Sequence, residues 1–184
     1  IVGQNAGKGL TEASGNSFFG QCAGHCSTTG SRNVYVGCKA GLGYTTGNCN
    51  IAIGNFTGPQ TCGSTGEFNI TLGYCAGKSI TSANNVIAIG CRAGAANTCG
   101  ACNIYLGGYA GLSNTSGQGN VFIGQRAGQN GTASLNTIVG DAAGQDTSGG
   151  CNAIFGSCAG CDLGSGEYNV VLGAEAGKKL HSSS

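Results

Sequence analysis

Twelve cysteines are the residues of this chain best able to do chemistry: Cys22, Cys26, Cys38, Cys49, Cys62, Cys75, Cys91, Cys99, Cys102, Cys151, Cys158 and Cys161. Thiols at this density serve disulfides, metal sites or redox reactions, and spacing separates the three. Cys158 and Cys161 form a C-x-x-C, but the paired C-x-x-C spacing of a zinc site is absent. No C-x-x-C-H occurs, which argues against covalently attached haem. The acids Glu12, Glu67, Asp141, Asp146, Asp162, Glu167 and Glu175 share no periodic position, so a calcium-binding repeat is not expected. His25 lies in a turn beside Cys26 and His181 in a polar tail, with no repeated partner for either. The residues therefore point to no catalytic site, no metal and no cofactor, and to a non-enzymatic protein. An even number of cysteines is instead read as a disulfide framework, which implies an oxidising, extracellular compartment.

What positions these cysteines is a repeat. One phrase recurs: Asn, a short apolar run, Gly, two variable residues, Ala, Gly. It reads NSFFGQCAG from Asn16, NVYVGCKAG from Asn33 and NIYLGGYAG from Asn103. Its first glycine recurs as Gly3, Gly20, Gly37, Gly54, Gly73, Gly90, Gly107, Gly124, Gly140, Gly156 and Gly173, a mean step of 17 residues. The one 19-residue step, Gly54 to Gly73, holds Pro59, the only proline, and predicts a loop insertion there.

We number positions from that glycine as zero. Position −1 is large and apolar in every copy, and −3 is mostly β-branched. The alternation predicts a short strand with −3 and −1 turned inward. On that reading −2 faces outward, and Phe18, Tyr35, Tyr105, Phe122, Ile138, Ile154 and Val171 form a candidate interface. Position +3 is Ala in ten copies and Thr57 in one, and +4 is always Gly, which suits a tight corner and a narrow core. About eight turn residues rich in Thr, Ser, Gly and Asn follow. Seventeen residues cannot close a core alone, but stacked coils can. The expected fold is all-β: a parallel β-solenoid of about eleven 17-residue coils over 1–177, disulfide-stapled, with a polar tail at 178–184.

Asn16, Asn33, Asn50, Asn69, Asn103, Asn120, Asn136, Asn152 and Asn169 recur at −4 and predict a structural ladder of stacked amides. In the remaining copy −4 is Val86, with an apparent extra residue after Asn85. Cys22 at +2 and Cys38 at +1 of the next coil, and likewise Cys75 and Cys91, should be neighbours, so the disulfides Cys22–Cys38 and Cys75–Cys91 are predicted. The spacing does not pair the other eight. Sequons begin at Asn55, Asn69, Asn114 and Asn130; Asn69 belongs to the ladder, and the turn sites Asn114 and Asn130 could carry glycans.

Composition bounds the function classes. With 38 Gly but one Pro and no G-X-Y period the chain is not collagenous. A net charge of +1 with 8% charged residues gives no footprint for nucleic acid or an anionic membrane. Apolar runs are far too short for a membrane-spanning helix.

The phrase N-x-x-(I/V/L)-G-x-x-A-G with its T-T-G turn resembles the Gly-rich repeats of phage and bacterial tail-fibre-like proteins. More distantly it is similar to the heads of trimeric autotransporter adhesins. The resemblance runs from Ile1 to Gly177 and implies an extracellular or virion fibre, often trimeric, for attachment or spacing. Those repeats usually lack cysteine, and this chain does not.

The chain has no initial Met, which suggests a processed form or a fragment, and it is three residues short of eleven full coils. A second copy could thus continue the stack in register, so head-to-tail self-association into a filament is expected. The alternatives are a trimeric adhesin or tail-fibre shaft and a disulfide-rich ice-binding solenoid, although Thr pairs such as Thr45-Thr46 form no even T-x-T array.

Overall fold

The computed structural model describes residues 1–178 and contains strands and turns without helix. The expected tail lies outside the described residues from 179 onward, as does His181. Ten three-residue strands follow one another: β1 (Ser17–Phe19), β2 (Val34–Val36), β3 (Ile51–Ile53), β4 (Ile70–Leu72), β5 (Ile87–Ile89), β6 (Ile104–Leu106), β7 (Val121–Ile123), β8 (Thr137–Val139), β9 (Ala153–Phe155) and β10 (Val170–Leu172). They form one parallel sheet in strictly sequential order. Each strand pairs with the next at the same repeat position, as in Tyr35 over Ala52 and Tyr105 over Phe122. Val2 extends the sheet by a bridge to Phe19. This is the expected parallel β-solenoid with one coil per repeat.

The inward phase of the strands is the reverse of the expected one. Position −2 is buried in every strand, and −3 and −1 are half-buried or exposed. Phe18, Tyr35, Tyr105, Phe122, Ile138, Ile154 and Val171 are therefore core, not interface. The reason lies in the width of a 17-residue coil. Its interior takes one side chain from the strand, the Ala at +3 and one side chain at +7, so only one row of each strand fits.

The −2 and +7 columns share that space. Large Phe18 and Phe122 face small Ser27 and Gly131 at +7, whereas small Thr71 shares its coil with Ile80. An added Cβ on Gly131 would come 3.7 Å from the Phe122 ring. Tyr44 at +7 borders Gly58 and fills space left by Ala52 in the following coil. Tyr35 stacks between Phe18, with ring centres 4.7 Å apart, and Tyr44, at 5.7 Å. Size at −2 varies freely because the opposite wall compensates, which keeps packing close without a fixed residue type.

Two of the glycines show why the phrase is invariant. Gly124 at position zero has φ 130°, and a Cβ there would strike the carbonyl of Gly140 in the next coil. Gly111 at +4 has φ 58°, and a Cβ would enter the Tyr105 ring. Two further left-handed corners recur: +2, always with a side chain, as in Cys22 and Arg92, and −5, with a side chain in most coils, as in Cys49 and Asn85, and glycine at Gly15 and Gly119. Each that carries a side chain costs roughly 1–2 kcal/mol. The geometry persists because the corner amides bond between coils: Lys39 N–H donates to Gln21 O at 2.8 Å and Cys49 N–H to Ser31 O at 3.1 Å. Asn85 is thus an ordinary −5 corner and Val86 an ordinary −4 residue, so that copy has no extra residue.

Candidate assembly surface

All nine −4 asparagines lie in one column at the entry to the strands, and the ladder they form differs in kind from stacked amides. Most side chains bond to backbone of the following coil. Asn33 Oδ1 accepts from Asn50 N–H at 2.8 Å, and Asn33 Nδ2 donates to Gly47 O at 2.9 Å. Asn50 repeats both bonds, with Asn69 N–H and Gly66 O, each at 2.9 Å. Asn16, Asn69, Asn103, Asn120, Asn136 and Asn152 act alike. Amide-to-amide donation occurs only at Asn152 and Asn169. The column satisfies backbone groups at a buried corner, so it holds coils together and presents nothing to a ligand.

Val86 interrupts this column, and the core compensates. Asn97 Nδ2 donates to Gly100 O at 2.9 Å, replacing the donor that a −4 amide would supply. Asn97 Nδ2 also donates to Tyr105 Oη at 3.3 Å.

A second column was not singled out in the sequence. Thr recurs at +8 as Thr11, Thr28, Thr45, Thr81, Thr98, Thr115 and Thr132. Hydroxyls donate to the carbonyl of the next Thr, as from Thr28 to Thr45 at 3.2 Å and from Thr98 to Thr115 at 3.0 Å. The signal was present, since Thr stands at +8 in seven of the eleven copies. The ranks are one residue wide, and the hydroxyl donors of Thr11, Thr28, Thr81 and Thr98 point at backbone.

The predicted disulfides are not formed: Cys22, Cys38, Cys75 and Cys91 are free thiols. Columns stack like on like. Gln21 Nε2 donates to Gln4 Oε1 at 3.2 Å, and the Cys38 thiol to Gln21 Oε1 at 3.8 Å. Cys38 therefore stands over Gln21, while Cys22 shares its column with Lys39. The same offset separates Cys75 from Cys91. The disulfide is Cys26–Cys62, with Cα atoms 5.6 Å apart across 36 residues of sequence. It skips a coil. Gly43 N–H donates to Pro59 O, and Ser64 N–H returns to Gly43 O, so the two residues added in the long step arch out between these bonds. The arch carries Cys62 past Gly43, which has no side chain to block it, to Cys26 of the coil beyond.

The remaining candidates do not converge. Among the described residues no three His, Cys, Asp or Glu side chains gather as a metal site would require. His25 Nδ1 lies 3.4 Å from Asn5 O. Of the sequons, Asn69 and Asn114 are buried, so Asn114 is not the accessible turn site expected; Asn55 and Asn130 are exposed. A shallow groove of about 350 Å³ is lined by Lys78, Arg92 and Leu112 among others. Burial pushes the Tyr35, Tyr44 and Tyr105 phenols above their ordinary pKa. Burial also raises the Cys161 thiol, with the neighbouring Cys158 adding to it.

What the fold does present is a face. The −3 and −1 columns, freed from the core, lie side by side along the sheet. Val36, Ile51, Ile53, Ile70, Leu72, Leu106 and Phe155 are 36–41% exposed well inside the rod. Of the residues from Val2 to Leu172 in these two columns none is charged, and only Ser17 and Thr137 are polar. A contiguous apolar surface of this extent is unusual on a solitary soluble protein and marks an interaction surface.

No family model, no curated protein and no solved structure matches this chain.

Proposed function

We propose that this chain is a structural, non-catalytic segment of an extracellular fibre or filament that extends by stacking coils end to end. The observation that carries the reading is the unbroken register from β1 to β10. Every coil offers the next the same strand edge, the same corner amide and the same turn carbonyls. An interface between copies built like the interface between coils needs no new chemistry. The Cys26–Cys62 disulfide supports an oxidising compartment. The resemblance to tail-fibre repeats agrees with this reading.

At about 4.8 Å per coil the described rod is roughly 50 Å long. Electron microscopy of the purified chain, kept oxidised, is expected to show filaments many times that length. Discrete rods of about 50 Å at every concentration would refute end-to-end growth. The alternative, a laterally associated shaft such as a trimer used for attachment, is favoured by the apolar face along the side of the rod.

A further inference from the structure

We propose that the apolar face made by the −3 and −1 columns packs against the same face of a second copy, pairing two solenoids side by side. This lateral contact goes beyond end-to-end growth and does not depend on it.

Three observations commit the face to a second copy. The first is area. The two columns expose on the order of 1,000 Å² per chain, against about 800 Å² that a standard stable interface covers on each partner. The second is periodicity. Ridges of Ile, Val and Leu recur at the strand spacing along the rod, and seven of the ten strands contribute two of them, as Ile51 and Ile53 do in β3 and Ile87 and Ile89 in β5. A globular surface cannot match a repeat of about 4.8 Å over roughly 50 Å, but a second face of the same coils matches it throughout. The third is the border. Next to the −1 column, beyond the position-zero glycines, runs the +1 column, mostly polar, with exposed Gln4, Gln21, Asn55, Gln125 and Asp141 beside exposed Tyr74 and Cys91. An uncharged apolar centre with a polar rim is the anatomy of a protein–protein contact.

Two such sheets stack about 10 Å apart, with side chains interdigitating. The contact is isologous, because each copy supplies the same patch, and it closes as a pair. The half-exposed residues Ile53, Leu72 and Leu106 would be covered at its centre.

Light scattering and scanning transmission electron microscopy on the full chain give the mass per unit length of whatever rods or filaments form. Twice the value of a single rod is expected. Leu106→Lys places a charge at the middle of the face without entering the core, and it should weaken pairing at least 100-fold. Thr81→Lys, which adds the same charge on the exposed turn side, should leave the mass per unit length unchanged. Circular dichroism reports that both variants keep the fold. A benzoylphenylalanine side chain at position 106 supplies a readout independent of stability. Photolysis should link it to −3 or −1 residues of another copy. A wild type of single or triple mass per unit length, an unchanged value for Leu106→Lys, or links confined to turn residues would each overturn the pairing. The two proposals fail separately: filaments one rod wide refute the pair and leave end-to-end growth standing. Isolated double-mass particles do the reverse.

Discussion

Asn50 shows what one side chain does in this fold. It gives the neighbouring coil an acceptor for Asn69 N–H and a donor for Gly66 O, both inside a buried corner. Truncation strands two backbone groups, each at a cost of about 1–3 kcal/mol. We expect Asn50→Ala to lower stability by about 2–4 kcal/mol in urea unfolding. Val86→Asn should act in the opposite sense, by about 1 kcal/mol, since it restores an acceptor below Asn103. A Val86→Asn variant no more stable than the wild type would mean that the ladder geometry, not its chemistry, matters. The tyrosines give a pH dependence. Tyr35, Tyr44 and Tyr105 are held neutral in the fold by burial, while the unfolded chain ionises its phenols near pH 10. A raised folded pKa means that their contribution is intact below about pH 10. It is lost as the pH climbs from there toward the folded values. Absorbance at 295 nm should therefore show these three ionising only as the chain unfolds. Tyr44 Oη is buried with no hydrogen bond of good geometry and only the Asn69 amide close to it, so Tyr44→Phe should change stability by less than about 1 kcal/mol. The ladder was legible from Asn16 to Asn169 because a polar residue fixed at one position of a repeat has a local structural task. The bonding pattern was not, since sequence carries no information on whether an amide meets an amide or a backbone group.

At the scale of the element, each coil is a three-residue strand and three turns, and its reading failed at one point. A period of two has two phases. The uniformly apolar −1 column reads as core, and the −2 column, whose residues range in size from Ala52 to Tyr105, reads as an outward row and candidate interface. The variation has a cause that the strand alone does not show: Ser27, Tyr44, Ile80, Asn97 and Gly131 at +7 share the same volume. Reading +7 against −2 coil by coil would have revealed the compensation. The disulfide failed for a related reason. Offsets of 16 residues suggested neighbours, but columns stack like on like, and the true partner of Cys26 is reached only through the insertion at Pro59. By loop closure Cys26–Cys62 stabilises the fold by about 3–4 kcal/mol. Reductant, or Cys62→Ser, should lower the thermal midpoint accordingly, whereas Cys91→Ser should leave it nearly unchanged. A Cys91→Ser effect as large as that of Cys62→Ser would restore the Cys75–Cys91 pairing.

At the scale of the whole molecule, each strand pairs only with its sequence neighbours among the described residues, so stability is approximately a sum of neighbour contacts, with the Cys26–Cys62 disulfide reaching one coil further. The proposed end-to-end growth would use the same neighbour contact, and it belongs to this scale and not to any residue. Lys178 and Glu175 form an ion pair with both side chains exposed, and only 8% of residues are charged, so the proposed assembly would rest on hydrogen bonds and apolar contact. The fold was legible because eleven copies of one phrase average out local accidents. The apolar face was not legible because the strand alternation fits either phase, and the structure puts the exposed apolar columns at −3 and −1, one residue from the row the sequence suggests.

The asparagine column also gives the rod an arrow. Asn16, Asn33 and Asn50 all aim their amides toward the coil that follows in sequence. Each coil is thus a printed template read in one direction: it dictates where its successor must place a donor and an acceptor, and it takes dictation from its predecessor. Two copies meeting head to head would present matching halves of the same message and have nothing to pair. A misprint such as Val86 is survived because Asn97 supplies the missing donor from within the core. The polarity of any fibre built from this chain is therefore written into one amide per turn.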